Sequence, residues 1–171
     1  MRWNEIDQQA CSVARALAVV GDRWSLLILR DAFFGNRRFE EFHRSTGISR
    51  HRLSDRLSKL VETGVFSREP YQERPQRFEY RLTRKGLALY PVMMSLSQWG
   101  NDWCDDGKGS PIEYLHRRCG QKTQATLCCS ECGERLQPHE VTPLLGPGLE
   151  APDNTDIHDK LPPYLHKSIT G

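Results

Sequence analysis

The sequence predicts an α+β fold, mainly helical, followed by a small cysteine-rich, ribbon-like module. Three observations lead there. Apolar residues recur at helical spacing in short capped segments up to residue 62. The period then shortens to two around residues 65–69 and 78–82, as strands require. Four of the six cysteines fall between residues 112 and 141. The expected organisation is a main domain over residues 1–106, the cysteine-rich module over 112–141, and an irregular Pro/Gly-rich tail over 142–171.

Each element has a local reason. Val13, Leu17 and Val20 define a first helix from Ser12, and Gly21 stops it. Asp22 can cap a second helix carrying Trp24, Leu27 and Ile28, with Phe33 and Phe34 near its end. After Gly35, Asn36 can cap a short third helix with Phe39 and Phe42 on one face. Thr46 and Gly47 make a tight turn, and Ser49 caps a fourth helix whose inward stripe is Leu53, Leu57, Leu60 and Val61. Gly64 ends that helix. Alternating residues then give two strands, with Pro70 to Arg77 expected as a long exposed hairpin tip. Thr83 caps a last helix with two apolar stripes: Leu87, Tyr90 and Met94 inward, and Val92, Leu96, Trp99 and Trp103 outward. Pro91 should kink it or delay its first turn.

The net charge of +2 conceals a basic centre. Residues 37–86 hold 13 Lys or Arg against 7 Asp or Glu, whereas residues 87–171 hold 7 against 11. A basic patch fits phosphate binding. No apolar run approaches the ~20 residues of a membrane span, and the N-terminus lacks a secretory layout, so a cytoplasmic location without membrane contact is expected. No nucleophile elbow, phosphate-binding glycine loop or HExxH stands in the chain, so an enzyme is not expected.

Short helices, a glycine turn, a capped helix and a hairpin, in that order, form a winged helix-turn-helix. With its leucines inward, the fourth helix turns His51, Arg52, Asp55 and Lys59 outward and leaves Arg50 on its first turn. Arg or Lys on such a helix can donate to guanine edges or phosphates in the major groove of double-stranded DNA. Ser49 and the open amides of the first turn offer a phosphate site. Arg37 and Arg38 precede the third helix, and Arg74, Gln76 and Arg77 lie on the hairpin, all suited to backbone contact. The competing expectation is a winged helix used for protein–protein contact, with DNA binding lost.

The stretches CSVARALAVVGDRWSLLILRDAFFGNRRFEEFHR and GISRHRLSDRLSKLVETGVFSREPYQERPQRFEYRLTRKGLALYPVMMSLSQWG resemble the HxlR family of regulators, relatives of the MarR group. The likeness runs from about Cys11 to Trp103. It implies transcription regulation through palindromic operators and a homodimer joined by the first and last helices. It also lends Arg56 a DNA or phosphate role, against a simple ion pair to Asp55 or Glu62. On the dimer reading, Val13, Leu17, Val92, Leu96, Trp99 and Trp103 would meet a second copy, since such an apolar stripe needs cover. Packing of the stripe on the chain's own C-terminal module is the alternative.

His116-x2-Cys119 and Cys129-x2-Cys132 form two ligand pairs whose types and spacing suit structural Zn2+. A metal-free hairpin with cysteines as small apolar fillers is the alternative. The resemblance implies that Cys11 can sense oxidants or electrophiles, which would need its thiolate to be favoured by the helix N-terminus or Arg15. A buried structural thiol is the alternative there. The effector is thus expected to be an oxidant, a metal or a small molecule.

Overall fold

The computed structural model describes residues 6, 8, 10–144 and 146–149. The chain divides into two compact units, Ala16–Ala125, and Met1–Arg15 together with Thr126–Gly171. The boundary near residue 125 falls between the two ligand pairs, not ahead of residue 112. Most of the 142–171 tail lies outside the described residues.

The first helix, α1 (Ser12–Val20), begins where the apolar spacing predicts. In α2 (Arg23–Phe33), the Asp22 carboxylate accepts from the amides of Trp24 and Ser25, both at 3.1 Å, and so caps the helix as expected. The third helix, α3 (Phe39–Thr46), corrects the sequence reading of its start. Arg38, not Asn36, holds the cap position. The Glu41 carboxylate reaches back to the amides of Arg37 and Arg38, at 2.8 and 2.9 Å. That is the acidic half of a capping box, so a polar cap side chain is not needed. Gly47, at φ 66°, closes α3 in the left-handed conformation and swings the chain into α4 (Arg50–Glu62).

Within this unit the core is one cluster. Ile28 and Leu29 of α2, Phe42 of α3, and Leu53, Leu57 and Leu60 of α4 are all fully buried, and Ile48, Val65 and Phe66 complete it. Burying each such side chain is worth roughly 1.5–3 kcal/mol. Because α4 is gripped along its leucine stripe, the direction of its opposite face is fixed.

Strands β1 (Phe66–Glu73) and β2 (Gln76–Leu82) pair antiparallel, from Phe66 opposite Leu82 to Glu73 opposite Gln76. The expected long tip is therefore wrong. The strands continue through Pro70, and only Arg74 and Pro75, joined by a cis peptide bond, make the turn. In a two-stranded ribbon every strand is an edge, so Pro70 removes no essential ladder bond. A register shift between Pro70 and Gln72 marks a bulge at Tyr71. The amide of Tyr80 donates to the Arg37 carbonyl at 2.7 Å, and Arg38 bridges to Glu79, which ties the entry of α3 to the ribbon.

The predicted last helix is two helices. Thr83 caps a single turn, α5 (Arg84–Leu87), through the Gly86 amide. A Cβ at Gly86 would stand 2.3 Å from the Val65 carbonyl oxygen, so only glycine lets this turn lie against the chain. The chain restarts as α6 (Tyr90–Trp103), with Pro91 in its first turn, where a missing N–H is tolerated. The inward stripe changes accordingly. Leu89 and Met93 pack on the core, while Leu87 is 56% exposed. Tyr90 meets Phe33 with ring centroids 5.0 Å apart.

Beyond α6, β3 (Tyr114–His116) and β4 (Gln121–Thr123) form a hairpin, and the Tyr114 hydroxyl donates to Ser97 Oγ of α6 at 3.2 Å. In the other unit a second small hairpin has Cys128 bridged to Arg135 and the Leu136 amide on the Leu127 carbonyl at 2.9 Å. No described helix is long and apolar enough to cross a membrane.

Candidate nucleic-acid interface

The candidate interface comprises the exposed face of α4, the residues before α3, and the β1–β2 ribbon. Arg52 is exposed on α4 and has no hydrogen-bond or ion-pair partner among the described residues. His51 and Asp55, one helical turn apart, pair at 3.1 Å. That pair explains the acidic residue on this face, whose charge the neighbouring imidazole can offset when protonated. Lys59 is half-buried. Ser49 stands at the N-cap of α4 but its hydroxyl makes no capping bond, contrary to expectation.

Two other arginines are committed elsewhere. Arg50 donates from both terminal nitrogens to the two oxygens of Glu40, each at 2.8 Å, and its guanidinium lies 5.6 Å from the Phe39 ring centre. Fork-to-fork geometry of this kind holds Glu40 below its ordinary carboxylate value, through the hydrogen bond first and the charge second. Arg56 turns to Asp22 Oδ2 at 3.6 Å and is only 35% exposed. Neither of its expected ion-pair partners, Asp55 or Glu62, takes it. Arg56 therefore links α4 to the cap of α2.

The ribbon stands beside α3. Arg37, Arg74, Gln76 and Arg77 are exposed, and none of the three arginine side chains has a partner among the described residues. Arg38 stacks over Tyr71 at 4.4 Å from the ring centre. Arg68 stacks over Phe78 at 3.6 Å. Between α3 and the ribbon runs a groove of about 600 Å³ lined by Arg38, Arg44, Arg68 and Arg77 with Phe39 and Tyr71. Sequence reasoning missed Arg44, Arg68 and Tyr71. The signal for Arg68 lay in strand register, which places it opposite Tyr80 and next but one to Phe78 on the same face, whereas Arg44 stands on α3 and Tyr71 at the bulge, where register gives no such signal. Glu41 is held below its ordinary value chiefly by the amides of Arg37 and Arg38. The same carboxylate thus orders the backbone that carries two of the cations.

The remaining sequence-derived residues lie apart from this face. Val92, Leu96, Trp99 and Trp103 are exposed along α6, at 53, 45, 58 and 76%. Val13 and Leu17 are exposed on α1. Cys11 is half-buried just before α1, and its carbonyl accepts the Arg15 amide at 3.1 Å. The Arg15 guanidinium donates to Ser12 Oγ at 3.2 Å. Cys104 caps the C-terminus of α6 and is exposed.

Two short turns carry the proposed metal ligands, and they share a shape. In one, His116 Nδ1 lies 3.1 Å from Cys119 Sγ, and the amide of Gly120, at φ 69°, donates to the His116 carbonyl at 2.8 Å. In the other, the amide of Gly133, at φ 77°, donates to the Cys129 carbonyl at 2.9 Å. There the amides of Cys132 and Glu131 lower the Cys129 thiol below its ordinary value. Among the described residues, no three His, Cys, Asp or Glu side chains are gathered closely enough to hold a metal ion.

The chain is similar to known proteins in sequence and fold. A family model of HxlR-like helix-turn-helix proteins matches residues 19–108. The HTH-type transcriptional regulator Mb3122 of Mycobacterium bovis is 49% identical over 140 residues, 82% of this chain and 89% of that protein. The HTH-type regulator YvaP of Bacillus subtilis is 37% identical over 92 residues, covering 53% of this chain and 85% of its own. Among solved structures, PA1607, a candidate transcription factor, superposes with a TM-score of 0.71 at 40% identity, covering 79% of this chain and 94% of that one. The redox regulator HypR in its oxidised form gives 0.52 at 32% identity, over 56% of this chain and 99% of its own. A family match over more than half the chain, and a relative aligned over most of both lengths, carry the same conclusion as the helix order and ribbon: the chain belongs to the HxlR-like helix-turn-helix family of transcription regulators.

Proposed function

We propose that the protein binds duplex DNA sequence-specifically, as a homodimer on palindromic operators, with α4 in the major groove and the β1–β2 ribbon on the flanking backbone. One observation carries this reading. Arg52 is exposed and unpartnered among the described residues, on a helix whose opposite face is locked by three fully buried leucines. A firmly held helix that presents an open guanidinium suits base-edge recognition. Arg37, Arg74 and Arg77 are the phosphate contacts, and the free amides at the start of α4 add another. The dimer is argued from α6, whose exposed Val92, Leu96, Trp99 and Trp103 form an apolar stripe that water would otherwise wet. Selection of bound duplexes from a random pool at physiological salt tests the whole reading. A palindrome with half-sites roughly 10 bp apart is expected. No enrichment over the starting pool would leave the fold standing and remove the function.

The same reading assigns a thiol signal to Cys11, because HypR, a structural relative, is a redox regulator. An oxidant that removes two electrons and two protons from a pair of Cys11 thiols would join two copies by a disulfide. Structural zinc is proposed at the ligand pairs His116 with Cys119 and Cys129 with Cys132. The support is the ligand types, the spacing, and a Gly in the left-handed conformation after each pair.

A further inference from the structure

The groove of about 600 Å³ between α3 and the ribbon pairs positive charge with flat surfaces. Arg38 lies over Tyr71 and Arg68 over Phe78, at 4.4 and 3.6 Å from the ring centres. Both arginines are exposed. Each ring thus steadies one face of a guanidinium plate and leaves the other face, and the donors around its edge, to a ligand. Arg44 and Arg77 line the same groove, and their side chains make no hydrogen bond or ion pair among the described residues. Two glutamates also line it, and both are engaged. Glu40 takes the fork of Arg50, and Glu41 accepts from the amides of Arg37 and Arg38. With Glu40 balanced by Arg50, the four groove arginines outweigh Glu41 by three charges. We propose that this groove binds a free nucleoside di- or triphosphate.

Three features select that class. The volume falls within the range of small-molecule sites, ~300–1,000 Å³. A flat guanidinium stacks on the face of any nucleobase, whereas a bare polyanion gains nothing from a plate. The open forks of Arg44 and Arg77 match phosphate oxygens two at a time, and the surplus charge calls for more than one anionic group. The site therefore suits a base and a phosphate chain together, and neither a nucleoside nor a single carboxylate.

A regulatory consequence rests on the DNA-binding reading above. Arg77 lines the groove and also belongs to the proposed backbone contacts of the ribbon. A nucleotide that engages Arg77 would withdraw it from DNA, so the two ligands should compete.

Calorimetric titration of the full chain with ATP, without DNA, tests the site. Saturable binding is expected, at least tenfold tighter than that of adenosine or of inorganic tripolyphosphate in the same buffer. Arg44→Gln should weaken ATP and tripolyphosphate alike. Arg68→Lys keeps the charge but not the plate, so it should weaken ATP at least fivefold and leave tripolyphosphate unchanged. Unchanged circular dichroism spectra would show that both variants fold. Absence of saturable ATP binding, either fragment binding as tightly as ATP, or equal effects of Arg68→Lys on ATP and tripolyphosphate would overturn the site. ATP binding that leaves the affinity for a selected duplex unaltered at constant ionic strength would overturn the competition. Failure to select any duplex would instead overturn the functional reading, with the ATP titration still reporting on the groove.

Discussion

The Arg50–Glu40 pair makes a testable distinction between a cation that faces DNA and one that serves the fold. Arg50 occupies the first turn of α4 but is held by two 2.8 Å bonds to Glu40 of α3. Both side chains are about as open as each other, at 61 and 60% exposure. To reach a phosphate, Arg50 would have to leave a carboxylate that then stays beside the DNA. On the DNA-binding proposal, the pair would therefore add almost no net counterion release in the native protein. Glu40→Gln keeps the shape and removes the charge. It is expected to tighten DNA binding and to steepen the slope of log affinity against log salt by about 0.9, the value of one phosphate contact. Between about 50 and 200 mM salt, the advantage of the variant should therefore shrink roughly 3.5-fold. Fluorescence anisotropy on a selected duplex at four salt concentrations would measure this. Identical slopes and affinities for both proteins would refute the reasoning and assign Arg50 to the α3–α4 contact alone.

Four further outcomes are expected. Arg52→Ala should lose ~1–3 kcal/mol of discrimination between its cognate and a mismatched base pair, and equal losses on all duplexes in a competition assay would move Arg52 to the backbone. Glu41 has its carboxyl lowered from 4.5 by the Arg37 and Arg38 amides, so its contribution to stability is complete above that value and fades as pH falls through the lowered one. Thermal melts from neutral to about pH 3 should accordingly show a shallower acid limb for Glu41→Gln than for the native chain. Gly86→Ala would place a Cβ 2.3 Å from the Val65 carbonyl and should cost about 1–3 kcal/mol in urea unfolding, where a native midpoint would show that the turn yields freely. On the zinc proposal, zinc is expected to co-purify with the chain and Cys129→Ser to lower it, by elemental analysis; an unchanged zinc content would show that Cys129 is not a ligand.

What the sequence revealed, and what it hid, divides along a physical line. The axes of α1, α2 and α4 were legible because apolar periodicity states which side must leave water. Leu53, Leu57 and Leu60 are fully buried as their spacing required. The family likeness was legible for the same reason, since it rests on those positions and on glycines such as Gly47 and Gly86 that only one backbone path accommodates. The ribbon length was not, because Pro70 reads as a breaker and only the pairing of Glu73 with Gln76 shows that an edge strand tolerates it. The inward stripe of α6 was misread because a break after α5 resets the phase, so that Leu89 and Met93, not Leu87, turn to the core.

The partners of surface charges were the least legible of all. Arg50 meets Glu40 ten residues away, and Arg56 meets Asp22 across two helices. A helical wheel gives a direction for a cation but not the anion that waits there. That distinction sharpens the DNA reading. By sequence, six arginines were candidates from their positions, and Arg56 joined them only through the family likeness. The fold commits Arg50 and Arg56 to carboxylates and stacks Arg38 on Tyr71. Arg37, Arg52, Arg74 and Arg77 remain open among the described residues, one on α4 and three around the ribbon. Specificity should therefore depend on Arg52, and salt sensitivity on the other three, so that loss of either property leaves the other in place.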